Sequence, residues 1–264
     1  MRRAIAVTIS LVAACAAAGC AATREFETPT GPHFTVLTYN VNWGGPGADL
    51  AVKAVQDSGA DIVCLQETTP DWERYLRPRL EATYPHILFR HHGGAGGQAF
   101  LSKFTLKEIA YVRPSAGWFP GWIVEALTPV GRVQILNVHL RPALSDRGSV
   151  TPSAYYSTKS VRLTEIQGFH RRLDHKRPHI VLGDFNEDDG GRVITWLAEQ
   201  GMTDALSQFD RSTPTWEWRT SLVTLRDRLD HIAYSRHLHC YGAKVIRAGA
   251  SDHFPVLAVF GPKK

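Results

Sequence analysis

The stretch Pro178-His179-Ile180-Val181-Leu182-Gly183-Asp184-Phe185-Asn186 constrains this chain more than any other. Residues 179–182 read as a short strand covered on both faces, because its apolar run does not alternate with polar residues. Gly183 is expected to end the strand. Side chains two apart along a strand share a face, so Asp184 and Asn186 are expected to point together from its carboxyl end. A carboxylate beside a carboxamide suits divalent-metal and phosphate chemistry. An Asx-rich turn closing a strand uses the same residues without any function. The choice between these depends on whether similar strand ends recur.

They do recur. Phe34–Asn42 is rich in β-formers and ends in Asn40 and Asn42, expected on one face. Asp61–Glu67 is a second short apolar strand, ending in the carboxylate of Glu67. Strands are expected at 86–90, 98–102, 106–113, 121–128 and 132–139, and the last brings His139 to a strand end. A lone histidine there is ordinarily structural. Arg228–Tyr234 reads as a strand flanking Leu229 with polar groups, among them Asp230. Ser251-Asp252-His253 stands directly before a buried terminal strand.

Between these strands the 3.6-residue period predicts helices over 49–58, stopped by Gly59, over 71–82, interrupted near Pro78, over 157–174, and over 193–199. The glycine-rich segment 91–97, with His91 and His92, reads as a flexible surface loop. Residues 141–156 read as irregular. Their interleaved basic and aromatic residues fit either a solvated insertion or contact with a phosphate backbone and stacked bases. Residues 206–226 read as loop-rich, with Thr215, Trp216 and Trp218 as packing residues. Trp118, Phe119 and Trp122 form either a packed group or an exposed stacking patch.

The 264 residues fit one domain, placed at 34–262, after a tether at 21–33. Met1-Arg2-Arg3 followed by an apolar run from Ala4 to Ala18 is a secretory signal peptide, too short to span a membrane. Ala17-Ala18-Gly19-Cys20 is similar to a bacterial lipobox, which predicts an exported, envelope-anchored chain lipidated at Cys20, or otherwise a secreted one. The formal net charge is +5, or +3 once Arg2 and Arg3 are removed. That is compatible with a polyanionic partner and equally with a plain basic surface. Cys64 and Cys240 then remain. Cys64 lies within an apolar strand, which favours a buried free thiol over a disulfide.

Six separate strand ends bearing Asn, Glu, Asp or His exceed what turn chemistry requires, and sites in layered α/β folds collect where strand ends meet. In order, Thr38-Tyr39-Asn40, Leu65-Gln66-Glu67, Asn137-Val138-His139-Leu140, Gly183-Asp184-Phe185-Asn186, Arg228-Leu229-Asp230-His231-Ile232 and Ser251-Asp252-His253 resemble the motifs of the endonuclease/exonuclease/phosphatase superfamily, across about residues 34–260. The resemblance implies an α/β fold, a four-layer α/β/β/α sandwich of two mixed sheets, and metal-dependent phosphoester hydrolysis with Mg²⁺ or Mn²⁺. It implies Glu67 as the main metal ligand, with Asn40 nearby and Asp252 in support. It implies that Asp184 and Asn186 position the water and the phosphate, and that His139 stabilises phosphoryl oxygens. His253 is then the general base, held in its tautomer by Asp230. Asn42 stands where relatives often have Asp, which weakens the case for a second metal contact. The expected partner of this monomer is a phosphodiester, with nucleic acid the first choice. Lipid or inositol phosphates and a catalytically inactive binding domain are the alternatives.

Overall fold

Two six-stranded sheets face each other, each with helices on its outer side. The computed structural model describes residues 23–263 except 46, 147, 150, 151 and 222. Within that range the chain runs β1 (Phe34–Asn40), α1 (Ala48–Ser58), β2 (Ile62–Gln66), α2 (Pro70–Leu80), β3 (His86–Arg90) and β4 (Gln98–Ser102). It continues through β5 (Leu106–Val112), β6 (Gly121–Thr128), β7 (Gly131–His139), α3 (Pro152–His170), β8 (His179–Asp184), α4 (Arg192–Glu199) and β9 (Met202–Asp204). A short α5 (Leu206–Phe209) and the pair β10 (Trp216–Arg219) and β11 (Thr224–Asp227) follow, then β12 (Asp230–Ser235), β13 (Leu238–Val245) and β14 (Val256–Pro262).

The first sheet has the order β13-β14-β1-β2-β4-β3 and the second β5-β6-β7-β8-β12-β9. Both are mixed, since β1 runs parallel to β2 and β7 parallel to β8 while their other neighbours are antiparallel. Strand alternation builds the layers. Val36, Ile62, Cys64 and Phe100 of the first sheet meet Trp122, Ile135, Ile180 and Leu182 of the second in one core. Leu37, Val63, Leu65 and Leu101 turn the other way, onto Val52 and Val55 of α1 and Leu76 and Leu80 of α2. Leu136, Val138 and Val181 turn onto Ile166 and Phe169 of α3 and Val193 and Leu197 of α4. The expected four-layer sandwich is therefore the observed one.

Several local expectations are corrected. β8 continues through Gly183 to Asp184, because Gly183 adopts φ 138° and a Cβ there would lie 1.9 Å from the carbonyl oxygen of Val138 on the neighbouring strand. Only glycine keeps the ladder closed at this point. Helix α2 passes through Pro78 without interruption, and the Glu81 amide still donates to the Arg77 carbonyl. Helix α3 begins at Pro152, five residues earlier than expected, with proline at the helix start, where its missing N–H costs nothing. The segment 206–226 contains α5 and the hairpin β10–β11. Strand β13 was not foreseen; a bulge between Cys240 and Gly242 breaks its alternation.

Cys64 and Cys240 are buried free thiols. The stretch expected as a tether is docked over residues 24–27. The Arg24 and Glu27 amides donate to the carbonyls of Gln208 and Tyr241, and Phe26 packs on Phe209. The expected signal peptide and Cys20 lie outside the described residues, and no described helix is long and apolar enough to cross a membrane.

Candidate active site

The two parallel pairs bring their carboxyl ends to the same rim of the sandwich. In the second sheet, His139, Asp184 and Asp230 are direct lateral neighbours across β7, β8 and β12. In the first sheet, Asn40 ends β1 and Glu67 follows β2. The only non-glycine residues with positive φ among those described are Asn42, Glu67 and Asn186, at 62°, 61° and 51°. All three lie just past these strand ends. Asparagine tolerates the left-handed region, but for glutamate it costs roughly 1–2 kcal/mol. Hydrogen bonds from Asn40 Nδ2 and the Trp43 amide hold the Glu67 carboxylate over the rim against that strain.

Oδ2 of Asp184 is the centre of the cluster. It accepts from Asn40 Nδ2 at 3.0 Å and lies 3.5 Å from His139 Nε2 and 3.6 Å from His253 Nε2. The same Asn40 Nδ2 donates to Glu67 Oε1 at 2.9 Å, and that oxygen is 3.8 Å from His139 Nε2. His139 Nδ1 donates to the Ala95 carbonyl at 3.1 Å. A carbonyl only accepts, so the Nδ1 proton is fixed and Nε2 faces the two carboxylates. His253 Nδ1 lies 2.8 Å from Asp230 Oδ2, an arrangement that likewise leaves Nε2 facing the cleft. Burial alone would lower the pKa of His253. The charges of Asp230 and Asp184 outweigh it and raise the pKa to about 10.

Asn40, Asp184, Asp230, His139 and His253 are all buried. Two expected positions differ from the strand-based reading. Asn186 does not project beside Asp184. The left-handed turn sends its Nδ2 to the Leu140 carbonyl, and its amide donates to Asp184 Oδ1. Asn42 likewise leaves the face of Asn40 and donates from Nδ2 to Asp252 Oδ1 at 3.0 Å. The other Asp252 oxygen accepts from Trp216 Nε1 at 3.0 Å, so both are engaged beside the cluster rather than in it.

Glu67, His139 and Asp184 offer donor atoms within 4.8 Å of one another, and so do Asp184, Asp230 and His253. Two carboxylate oxygens and an unshared imidazole nitrogen facing one point are a donor set that fits a divalent cation. Glu67 and Asp184 supply the oxygens a hard ion prefers. Asn40, as oriented, turns its amide nitrogen to both carboxylates and gives its oxygen to the Asn42 amide at 3.0 Å.

Sequence reasoning missed the groups that brace the site. Gln66 Nε2 donates to Asn137 Oδ1 at 2.7 Å, Asn137 Nδ2 to the Leu65 carbonyl, and Gln98 Nε2 to the Asn137 carbonyl. This buried amide chain ties the sheets together beneath the acids. Gln66 and Asn137 were visible as polar residues inside apolar strands, a signal in its own right. The loop 91–97 is folded into the site rather than free. Gly96 is buried, His92 packs edge-on to Phe119, and Phe119 stacks on His139 at 4.5 Å. At Gly97 a Cβ would strike the Thr68 carbonyl oxygen. Phe119 and Trp122 are packed inside, and Trp118 lies against the Arg141 guanidinium. Trp216, expected only to pack, pairs with His253 by a backbone bridge and holds Asp252.

A two-sheet α/β/β/α sandwich with acids and imidazoles converging on one rim is the DNase I-like class of fold. The chain belongs to the Endonuclease/Exonuclease/phosphatase family, whose model matches residues 37–253. Among solved structures it is similar to an endonuclease/exonuclease/phosphatase from Beutenbergia cavernae, at 18% identity and TM-score 0.67, covering 88% of this chain and 72% of that one. It is also similar to an AP endonuclease from Archaeoglobus fulgidus, at 17% identity and TM-score 0.66, covering 86% and 99%. A third is TDP2 of D. rerio complexed with a single-strand DNA product, at 17% identity and TM-score 0.65, covering 87% and 99%. At these identities the likeness is one of fold. No curated protein matches the chain by sequence.

Proposed function

We propose that the protein is a divalent-metal-dependent phosphodiesterase, with nucleic acid as the substrate class, and that His253 is its general base. The observation that carries this reading is the relay from Asp230 through His253 to the rim shared by Asp184 and Glu67. Asp230 fixes the proton on Nδ1, so that Nε2 can accept a proton from an attacking water. Asp184 orients that water, and His139 Nε2 faces the phosphoryl oxygens. Glu67, with Asp184 beside it, holds the cation; Asn40 fixes both carboxylates, and Asp252 braces them through Asn42. Asn186 shapes the turn that presents Asp184. A bound Mg²⁺ or Mn²⁺ supplies charge neutralisation as negative charge develops on the phosphoryl group.

The family, and the DNA product held by the D. rerio neighbour, support the substrate class. The same proposal places the protein outside the cytoplasm as a monomer anchored through Cys20. Palmitate labelling that persists in Cys20→Ser would reject that anchor. The activity is tested by assaying the purified protein on plasmid DNA, RNA, sphingomyelin and bis-p-nitrophenyl phosphate, with Mg²⁺ and with EDTA. Hydrolysis of nucleic acid that EDTA abolishes, and that His253→Ala lowers at least 100-fold with the fold retained, is expected. Preference for sphingomyelin overturns the substrate class. A loss below about tenfold in His253→Ala, or about 1.4 kcal/mol of barrier, overturns the base.

A further inference from the structure

The opposite end of β8 carries a second cluster that the phosphoesterase chemistry does not use. His170 closes α3, His175 lies in the turn that follows, and His179 opens β8. Each offers a ring nitrogen within 4.8 Å of the others. Their rings are 4.5 Å (His170 and His175), 5.4 Å (His175 and His179) and 5.9 Å (His170 and His179) apart between centroids. They line a cavity of about 310 Å³ together with Gln200, Ser235 and His237. His179 and Asp184 stand at opposite ends of β8, five residue steps or roughly 17 Å apart, so this cavity is distinct from the cleft.

Two features point to a ligand. His170 is 5% exposed, and its Nε2 has no hydrogen-bond partner. A buried polar nitrogen left alone costs about 1–3 kcal/mol, which packing against Trp196 at 5.1 Å does not recover. His179 is oriented like a metal ligand: its Nδ1 donates to the Arg177 carbonyl at 2.8 Å, which directs the lone pair of Nε2 outward. The turn carrying His175 is pinned, since the Asp174 amide donates to Gln134 Oε1, the Arg177 amide to the Asp174 carbonyl, and Leu173 sits in the core. His175 itself is exposed.

We propose that His170, His175 and His179 form a binding site for a borderline divalent transition ion of the Zn²⁺ type. Three neutral imidazoles match that ion, with a fourth position left for water, whereas Mg²⁺ prefers oxygen donors. The bound ion staples the end of α3 to the start of β8. The alternative, that the three rings merely pack on one another with His170 against Trp196, makes no demand on the exposed His175.

The test titrates Zn²⁺ and Co²⁺ into metal-stripped protein carrying Glu67→Gln, which disables the proposed cation site of the cleft. One equivalent is expected to bind with excess Mg²⁺ present, to raise the thermal midpoint, and with Co²⁺ to give the visible absorption of a four-coordinate ion. Adding His175→Ala is expected to weaken binding at least about 100-fold with an unchanged circular dichroism spectrum. Absence of saturable binding, or binding that His175→Ala leaves intact, overturns the proposal. Neither result bears on hydrolysis at the cleft.

Discussion

Nδ1 of His253 lies 2.8 Å from Oδ2 of Asp230, and both side chains are buried. Asp230 enters the rim from the start of β12, opposite Asp184 in register. Its second oxygen, Oδ1, has no hydrogen-bond partner. The pair therefore carries a desolvation cost, and its geometry fixes the orientation of the imidazole. Asp230→Asn is expected to lower kcat by about 10²–10⁴-fold, the range for a mis-set catalytic imidazole, with KM little changed. Steady-state kinetics beside a thermal melt checks this. A loss in KM alone would move Asp230 out of the relay.

The pH dependence of the same histidine has a defined sign. Its pKa in the folded protein is raised to about 10, against roughly 6.5 in an unfolded chain. The stability it contributes is complete below about pH 6.5 and is lost as pH rises through 10. A cation bound between Glu67 and Asp184 offsets the charge of Asp184, one of the causes of the increase. Adding Mg²⁺ is then expected to lower the His253 pKa read by NMR, which brings the free-base form closer to neutral pH. An unchanged value with saturating Mg²⁺ would separate the cation from Asp184.

Glu67 holds a left-handed conformation that glycine would adopt without strain. Its carboxylate accepts from Asn40 Nδ2, which keeps Asp184 as a second acceptor, and from the exposed Trp43 amide. Glu67→Gly is expected to abolish hydrolysis while changing unfolding free energy by no more than about 1 kcal/mol, with relief of strain offsetting the lost contacts. Urea unfolding of the variant provides the comparison. Destabilisation beyond about 3 kcal/mol would make Glu67 a structural residue.

The legibility of this site follows from the same geometry. Strands that end at or one residue before Asn40, Glu67, His139 and Asp184 are short apolar runs closed by a polar residue. Parallel pairing then gathers those positions at one rim. What could not be read was the direction of each side chain beyond the strand. Period-two reasoning fails once the backbone turns left-handed, as it does at Asn42 and Asn186. The hairpin β10–β11 was hidden because β11 is exposed throughout and β10 only half-buried, so hydrophobic alternation gives no signal. Loop 91–97 read as mobile because glycine signals freedom. Here Gly97 is required by a close backbone approach to Thr68.

The buried amide chain beneath the rim tests whether the sheets are held by packing alone. Asn137 accepts from Gln66, and its Nδ2 donates to the Leu65 carbonyl across the two sheets. Asn137→Leu keeps the branched shape, though not the volume, and removes both bonds, leaving the Leu65 carbonyl without that donor. The expected cost is about 2–3 kcal/mol, measured by chemical denaturation, with a drop in kcat as the β2 end carrying Glu67 loosens. A double variant with Gln66→Leu replaces both polar partners by apolar groups and is expected to recover part of the stability, but not the activity.

His231 gives the fold a pH limit separate from the cleft. It is fully buried, with Nδ1 3.5 Å from Asp204 and 3.8 Å from Asp189, and Nε2 on the carbonyls of Glu187 and Arg228. Burial would lower its pKa, but the Asp204 carboxylate 3.5 Å away, aided by the charge of Asp189, raises it to about 9. Asp204 is correspondingly held below the ordinary carboxylate range: its own burial opposes this, and the attraction of His231 together with the hydrogen bonds from Ser207 prevails. The charged form of His231 stabilises the fold fully below about pH 6.5, and that stability is lost as pH rises through 9. The difference corresponds to about 3 kcal/mol. His231→Gln is expected to flatten the fall in stability between pH 7 and 9. Denaturation curves across that window decide it, because an unaltered slope would mean that the Asp204 pair does not hold the proton.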